Sequence, residues 1–331
     1  MDRKASFTAA STAFPVKTVR DKELVQSLAA GRGVLLRHPQ LIPTNRCNLK
    51  CEWCSCSRED RGEELSLADL REIIPSLSRL GAQACTITGG GEPLLHPHIA
   101  EIVEELRSFG IQVGLVTNGT QFAGKARVLD SLTWCRVSLG DRKAFALVKW
   151  GLDRCLEEFP KVDWSLSYVV TPRRDRPNVD SVVRFVQEHP NLVHIRWVSD
   201  ILQGGTYFVD FRKWLEEQYP FVLQDDRHLF QDRSLPVAGG RCWLCWLKPV
   251  IGADRQIYAC CGSQYAFGEG SEESRRMSRR LSLGDAKYLE EIWRRGAKKP
   301  FDGSICSVCY YGGYNATLEA LQADVAHEKF Q

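Results

Sequence analysis

Short apolar runs alternate with segments of helical periodicity between about residues 41 and 199. Predicted strands cover residues 41–44, 84–88, 112–117, 135–139, 164–171 and 194–199. Predicted helices cover residues 66–80, 97–109, 142–159 and 179–188. This alternation is typical of an α/β fold of about six βα units around a parallel sheet, either open and doubly wound or a partial barrel. In both, ligands bind beyond the carboxyl ends of the strands.

The flanking segments divide the chain into three predicted parts: an N-terminal leader (1–37), the repeating core (38–204) and a C-terminal segment (205–331). The leader contains one predicted helix near 21–30. Residues 205–240 show no clear repeat. Beyond them we expect a hairpin over 250–260, a polar basic loop over 268–280, a helix over 285–295 and a tail helix from about residue 315.

The charge balance argues against a strong electrostatic field. The 331 residues include 44 Lys and Arg and 41 Asp and Glu, which gives a net charge of +3. Nucleic acid is therefore an open but less favoured partner, and no membrane partner is expected. No segment has the roughly 20 apolar residues of a membrane helix, and the N-terminus does not resemble a signal peptide. A cytoplasmic location is predicted.

The cysteine content points to chemistry. The chain has 13 cysteines, and ten of them fall into two groups far apart in sequence. The first group lies at positions 47, 51, 54 and 56, and the second at 242, 245, 260, 261, 306 and 309. In a cytosolic protein of this size, such grouping indicates metal binding or catalysis rather than disulfides.

In the first group, Cys47, Cys51 and Cys54 have CxxxCxxC spacing on a loop directly after a predicted strand. Thiolates are soft ligands that suit iron–sulfur clusters or zinc. Three cysteines can hold three irons of a [4Fe-4S] cluster and leave the fourth iron open to a substrate or cofactor. The alternative is a zinc knuckle in which Cys56 is the fourth ligand.

Two further motifs follow the next strands. The second strand ends in Thr88-Gly-Gly-Gly-Glu-Pro93, and the third ends in Thr117-Asn118-Gly119. Glycines let a backbone approach a ligand closely, and the Glu92 carboxylate can accept hydrogen bonds from an ammonium group. His96 and His98 follow the glycine motif, and we expect them to start a helix rather than to bind metal.

The order and spacing of these motifs, over about residues 38–200, resemble the radical S-adenosylmethionine (SAM) superfamily. The resemblance implies a partial (β/α)6 TIM-like barrel. It also implies a cluster on Cys47, Cys51 and Cys54, with the amino and carboxylate groups of SAM on the fourth iron. The residues that it places at the cofactor are Trp53, Gly90, Gly91, Glu92, Thr117, Asn118 and Ser138. Glu92 and the two glycines would meet the SAM amino group, and Ser138 would contact the ribose or carboxylate.

The resemblance also implies an activity, and the chain is therefore predicted to be an enzyme. In this superfamily the reduced cluster cleaves SAM to a 5′-deoxyadenosyl radical, which abstracts a hydrogen atom from the substrate. The electron donor would be a flavodoxin or a ferredoxin-type protein.

The second cysteine group resembles the twitch, or half-SPASM, extension of many radical SAM enzymes. The resemblance implies a small cysteine-rich α+β domain with one auxiliary [4Fe-4S] cluster. The ligands that fit best are Cys242, Cys260, Cys306 and Cys309, while Cys245 in place of Cys242 and Cys261 in place of Cys260 remain alternatives. Arg255 stands where the hairpin of this domain normally carries glycine. The alternative is a zinc ribbon without redox function.

The net reaction and the substrate are less constrained. If Cys245 returns a hydrogen atom to a substrate radical, the enzyme is an epimerase. If the auxiliary cluster accepts an electron, the outcome is a two-electron oxidation. The leading substrate prediction is a small polar molecule of the sugar or cyclitol type. The alternative substrates are a nucleotide or DNA base and a ribosomal peptide. The alternative to an enzyme is a non-catalytic zinc-binding protein.

Overall fold

Parallel strands form the centre of the molecule. The computed structural model describes residues 13–140, 145–173, 175–201, 203, 205–233, 238–268 and 270–323. The strands are β1 (Gln40–Leu41), β2 (Ala84–Ile87), β3 (Gln112–Thr117), β4 (Trp134–Gly140), β5 (Asp163–Val170), β6 (His194–Ser199), β7 (His228–Gln231), β8 (Arg241–Cys242), β9 (Val250–Ile251), β10 (Gln256–Tyr258), β11 (Ser282–Asp285) and β12 (Phe301–Asp302). Each strand from β1 to β7 pairs in parallel with the next.

Helices connect the strands. They are α1 (Ala13–Arg20), α2 (Lys22–Ala29), α3 (Leu67–Arg79), α4 (Ile99–Ser108), α5 (Ala126–Leu129), α6 (Ala146–Glu158), α7 (Arg176–Glu188), α8 (Tyr207–Gln218), α9 (Leu244–Leu247), α10 (Leu289–Gly296) and α11 (Gly312–Ala320). The predicted α/β class and partial TIM-like barrel are confirmed. The strands predicted at 112–117 and 194–199 have the predicted bounds, and α2 lies where the leader helix was expected.

Local sequence explains where the helices begin. Ser66 and Asp69 form a capping box at the start of α3, since each side chain accepts from the other residue's backbone N–H. Asp175 caps the N-terminus of α7, where its side chain accepts a hydrogen bond from the backbone N–H of Asn178. This helix begins at Arg176, three residues before the predicted start, with a proline in its first turn.

The repeat continues into residues 205–240, where the sequence predicted none. Helix α8 is followed by β7, which lies parallel to β6 and extends the sheet. The side chains of Tyr207, Phe208, Phe211 and Leu215 are all buried on α8, at helical spacing. This periodicity is visible in the sequence, and the prediction missed it. The proposed limits of the three parts, 1–37, 38–204 and 205–331, stay predictions.

The C-terminal segment joins the opposite edge of the same sheet. Among the described residues the order is β11-β10-β9-β1-β2-β3-β4-β5-β6-β7, with β9 parallel to β1. Strands β9 and β10 are antiparallel, which confirms the predicted hairpin. Its turn contains Arg255 at a φ of 64°, in the left-handed region that favours glycine. The Arg255 guanidinium lies 3.1 Å from Asp69 and 3.5 Å from Asp285.

The segment 282–285 forms strand β11, which lies antiparallel to β10. Within the described residues, we find no helix that is both long enough and apolar enough to cross a bilayer.

Candidate active site

The first cysteine group lies at the carboxyl ends of the barrel strands. Cys47, Cys51 and Cys54 are half-buried. They line one cavity, whose empty volume is about 910 Å³ with the open solvent at its mouth included. The predicted cofactor residues that share this cavity are Trp53, Gly90, Gly91, Glu92, Thr117, Asn118 and Ser138. The structure therefore brings together every residue that the sequence placed at the first cluster and its cofactor.

The glycine motif is held tightly against the loop that follows β1. A Cβ atom on Gly90 would overlap the side chain of Asn45, and one on Gly91 would overlap the carbonyl of Arg46. The Arg61 guanidinium donates to the carbonyl of Gly90 at 2.7 Å. Close packing therefore requires glycine at both positions and fixes the shape of the cavity wall.

Glu92 is 1% exposed and ties the glycine motif to the end of β3. Its Oε1 accepts from the Thr117 hydroxyl at 2.6 Å and from the backbone N–H of Leu94 at 3.1 Å. Its Oε2 accepts from the backbone N–H of Asn118 at 2.6 Å. The carboxylate thus positions the two strand ends that border the cavity. The predicted contact with the SAM amino group stays a prediction.

Asn118 connects the end of β3 to the cysteine loop. Its Nδ2 donates to Asn48 Oδ1 at 2.9 Å and lies 4.0 Å from the Sγ of Cys47. Its Oδ1 accepts from the backbone and the hydroxyl of Thr120. The position of the first cysteine is therefore coupled to the Thr117-Asn118-Gly119 motif.

Trp53 packs on the last residue of β4. A Cβ atom on Gly140 would lie 2.5 Å from the Trp53 ring, so only glycine leaves room for the indole. Ser138, two residues earlier, has its side chain on the same face of the strand and lines the cavity. The end of β4 thus supports the aromatic residue that precedes the third cysteine.

The C-terminal segment braces the cysteine loop, which the sequence did not predict. Arg275 lies in the basic loop and donates to the backbone carbonyls of Glu52 at 2.6 Å and Cys54 at 3.5 Å. Its own carbonyl accepts from the backbone N–H of Arg58 at 2.9 Å. Arg275 has a φ of 67°, so the chain turns sharply to reach this position. More than 200 residues separate these partners in sequence, so no local signal could have found the contact.

All four cysteines of the first group line this cavity. Cys47, Cys51 and Cys54 are half-buried, whereas Cys56 is buried, with its Sγ 3.8 Å from the carbonyl of Gly89. In the part of the chain that the structure describes, no group of three His, Cys, Asp or Glu side chains is arranged to hold a single metal ion. Four thiols at one cavity suit either an iron–sulfur cluster or zinc, and metal analysis separates the two.

His96 and His98 have the helix-start role that the sequence predicted. The ring Nε2 of buried His96 lies 2.9 Å from the carbonyl of Leu65. The ring Nδ1 of His96 accepts from the backbone N–H of His98, which immediately precedes α4.

The second cysteine group surrounds a separate cavity. Cys242, Cys260, Cys306 and Cys309 all line it, and its empty volume is about 510 Å³. Cys242 comes directly before the short helix α9, while Cys306 and Cys309 follow β12, which pairs with β8. The arrangement brings together the four residues that the sequence predicted as auxiliary ligands.

Cys242 is the most acidic thiol of this group. A hydrogen bond from the Cys245 thiol and backbone N–H groups at the start of α9 lower its pKa to about 7. Burial instead raises the pKa of Cys306 to about 11. Stabilisation of the Cys242 thiolate is what a soft-metal ligand requires.

Cys245 and Cys261 line neither cavity, although each contacts a residue that lines the second one. Cys245 is 0% exposed, and its thiol donates to the carbonyl of Cys242 at 3.2 Å. Cys261 lies 2.8 Å from the hydroxyl of Tyr311. Neither is among the described residues that line either cavity. Hydrogen-atom donation by Cys245 stays a prediction, and its contacts are those of a residue that supports Cys242.

Comparison with protein families gives one match, to the model described as the Radical SAM superfamily, over residues 41–140. Similar proteins include a probable GTP 3′,8-cyclase of Pyrococcus horikoshii, 31% identical over 219 residues, which cover 59% of this chain and 70% of the relative. A probable GTP 3′,8-cyclase of Methanocella arvoryzae is 31% identical over 185 residues, 50% of this chain and 58% of the relative. A 7-carboxy-7-deazaguanine synthase of Aquifex aeolicus is 39% identical over 95 residues, 27% of this chain and 41% of the relative.

Solved structures share the fold at low sequence identity. Streptococcus suis SuiB bound to S-adenosylmethionine has a TM-score of 0.57 and 15% identity, over 85% of this chain and 71% of that one. The protein anSMEcpe with bound AdoMet has a TM-score of 0.55 and 16% identity, over 86% and 96%.

Proposed function

Because the chain belongs to the radical SAM superfamily, and is therefore an enzyme that uses a [4Fe-4S] cluster and S-adenosylmethionine, we propose that it abstracts a hydrogen atom from a nucleotide-type substrate. The observation that carries the proposal is the single cavity that Cys47, Cys51 and Cys54 share with the glycine motif and the end of β3. Together, cluster and SAM supply one-electron cleavage of a sulfonium and hydrogen-atom abstraction.

The chain's own residues have three tasks at this cavity. The three cysteines hold the cluster. Trp53, Gly90, Gly91, Glu92, Thr117, Asn118 and Ser138 form the cofactor surface. Glu92 also keeps the strand ends at a fixed separation through its three hydrogen bonds. Such preorganisation is what a cofactor enzyme must contribute, because the cofactor carries the difficult chemistry.

We propose that Cys242, Cys260, Cys306 and Cys309 hold one auxiliary [4Fe-4S] cluster. Their shared cavity supports this assignment over Cys245 and Cys261. The zinc ribbon is the competing assignment, and metal analysis separates the two.

The substrate class rests on the relatives. Those named GTP 3′,8-cyclase and 7-carboxy-7-deazaguanine synthase favour the nucleotide alternative over the sugar or cyclitol type that led the sequence-based prediction. This chain covers only 58% of the Methanocella arvoryzae relative, so its own substrate needs a direct test. The choice between epimerisation and oxidation, the flavodoxin or ferredoxin-type donor and the cytoplasmic location also stay predictions.

Anaerobic reconstitution followed by assay tests the proposal. The wild type should bind about eight irons, four for each cluster. With dithionite and SAM, it should release more 5′-deoxyadenosine when GTP or another nucleotide is added than without substrate. C51A should lose about four irons and all SAM cleavage, whereas C306A should lose about four irons and retain cleavage.

C85A is the matched control, because Cys85 is a core residue that is 1% exposed. It should retain the iron content of the wild type. Zinc in place of iron would overturn the cluster assignments. Cleavage that sugars or peptides stimulate, and nucleotides do not, would overturn the substrate class.

A further inference from the structure

The inner face of the sheet carries two arginines. Ser138 on β4 lines the barrel cavity, and Arg136 lies two residues earlier on the same strand. Side chains two residues apart in a strand point to the same face. Ser138 pairs with Ser167 on β5, and Ser167 pairs with Arg196 on β6, so Arg196 is level with Ser138. Both arginines therefore belong to the inward face.

The outward residues of the same strands are apolar. Val137 and Leu139 on β4, and Ile195 and Trp197 on β6, are all fully buried. The alternation is the usual one for a barrel strand, except that the inner positions include Arg136, Ser138 and Arg196. The inner face of the sheet next to the cavity can therefore form hydrogen bonds with a polar ligand.

Neither arginine has its hydrogen bonds satisfied. The Nε atoms of Arg136 and Arg196 are buried and have no hydrogen-bond partner. Arg196 is 9% exposed, and its Nη2 donates to the hydroxyl of Ser167 at 3.3 Å. Within the described residues, no carboxylate forms an ion pair with either guanidinium. Buried charges are normally paired, because an unpaired one carries a large desolvation penalty.

Two more cations, Arg233 and Lys248, repel these arginines electrostatically. Arg233 lines the barrel cavity together with Ser138. Burial lowers the pKa of Arg136 to about 10, and repulsion by Arg233 adds to the effect. Burial also lowers the pKa of Lys248, with further repulsion by Arg136 and Arg196.

We propose that Arg136 and Arg196 bind a phosphate group of the substrate inside the barrel, with Arg233 and Lys248 adding positive charge around it. The proposal rests on the proposed function, since it assigns the anionic end of a nucleotide-type substrate. A guanidinium matches the oxygen atoms of phosphate or carboxylate through paired N–H donors. Four cations favour a group with several negative charges, and therefore phosphate over a single carboxylate.

The position of the arginines also suggests how the substrate is oriented. Arg233 lines the cavity of the first cysteine group, and so does Ser138, which is level with Arg196 in the sheet. A phosphate held by the arginines thus lies beside that cavity, and the rest of the substrate extends towards the cofactor surface.

Calorimetric titration of the anaerobically reconstituted enzyme with inorganic triphosphate tests the assignment, with acetate as the carboxylate probe. Triphosphate should bind the wild type more tightly than acetate. R136Q and R196Q should each weaken triphosphate binding by about 10- to 100-fold, the usual effect of losing a hydrogen bond to a charged group. R154Q is the control, because Arg154 lies exposed on α6 and pairs with Glu158. It should bind as the wild type does.

R136K and R196K keep the proposal testable if the glutamine variants do not fold. Lysine retains the charge but not the paired donors, so the expected loss is smaller, about 3- to 10-fold. Equal triphosphate affinity in wild type and lysine variants, or tighter binding of acetate, would overturn the assignment. A wild type that cleaves SAM but binds no triphosphate would overturn only this inference. A wild type that binds triphosphate but never cleaves SAM would overturn the proposed function instead.

Discussion

Replacement of Glu92 by glutamine tests whether this residue holds the strand ends together. In the wild type, both carboxylate oxygens accept hydrogen bonds, from Thr117, Leu94 and Asn118. Glutamine has one acceptor oxygen and one NH2 group. In either orientation of the amide, the NH2 group faces at least one backbone N–H, so a charge-assisted bond is replaced by a contact between two donors.

The expected loss of stability follows from these contacts. A hydrogen bond to a charged group contributes about 1.5–3 kcal/mol, and a buried donor left unpaired adds to the loss. We therefore expect E92Q to lower the free energy of unfolding by about 2–3 kcal/mol. For a chain of 331 residues, that corresponds to a fall in the thermal midpoint of about 3–4 °C. T117V removes the hydroxyl that donates to Glu92 and accepts from the backbone N–H of Gly119, and it should cost about 1–3 kcal/mol.

Differential scanning calorimetry of the iron-free protein, under reducing conditions and at one scan rate, provides the measurement. Working without iron separates the structural effect from any contact with the cofactor. E101Q is the control, since Glu101 lies exposed on α4 and makes an exposed pair with His98. Its midpoint should stay within about 1–2 °C of the wild type. If E92Q unfolds at the same temperature as E101Q, Glu92 does not hold the strand ends.

Three further predictions concern the contacts around the cysteine loop and the hairpin. R275Q removes the charged donor to the loop carbonyls, so a chelator should extract iron about tenfold faster. Burial raises the pKa of Glu59 from 4.5 to about 7. Between these pH values the unfolded chain loses the Glu59 proton more readily than the folded one, so the free energy of unfolding of the wild type should fall relative to that of E59Q as pH rises. The expected fall is up to about 2 kcal/mol after allowance for solvent screening. R255G should leave the thermal midpoint within about 2 °C, because relief of the left-handed strain offsets the lost exposed ion pairs.

Each of these has its own control. R294Q, on the exposed side of α10, is the control for R275Q, and equal extraction rates in the two variants would show that Arg275 does not brace the loop. For E59Q, thermal midpoints measured at pH 5 and pH 8 decide, and parallel pH profiles of wild type and variant would contradict the raised pKa. For R255G, a fall of more than about 5 °C would mean that the contacts with Asp69 and Asp285 outweigh the strain.

Much of the fold follows from local sequence. The apolar run of β3 ends in Thr117-Asn118-Gly119, and the capping box of Ser66 and Asp69 fixes the start of α3, so both elements could be predicted. The hairpin of β9 and β10 was also predicted, although Arg255 replaces the usual glycine. Helix α8 and β7 were missed despite the helical spacing of buried aromatic side chains.

The candidate site was predictable where its residues lie in short motifs. The cysteine spacings, together with the family resemblance, selected the groups that the structure brings to two cavities. The contacts of Arg275 and the inward position of Arg136 and Arg196 depend on pairing between distant segments. Strand alternation tells which residues share a face, but only the packed structure shows which face points inward. The sequence therefore predicts ligands better than the surfaces around them.

The EPR spectrum of the dithionite-reduced C306A variant, recorded with and without S-adenosylmethionine, tests most directly whether the first cysteine group leaves one iron open. This variant should retain only the cluster on Cys47, Cys51 and Cys54. The expected result is a spectrum that changes when S-adenosylmethionine is added, together with release of 5′-deoxyadenosine. A spectrum that stays the same at concentrations where calorimetry shows S-adenosylmethionine bound would contradict the assignment of those three cysteines.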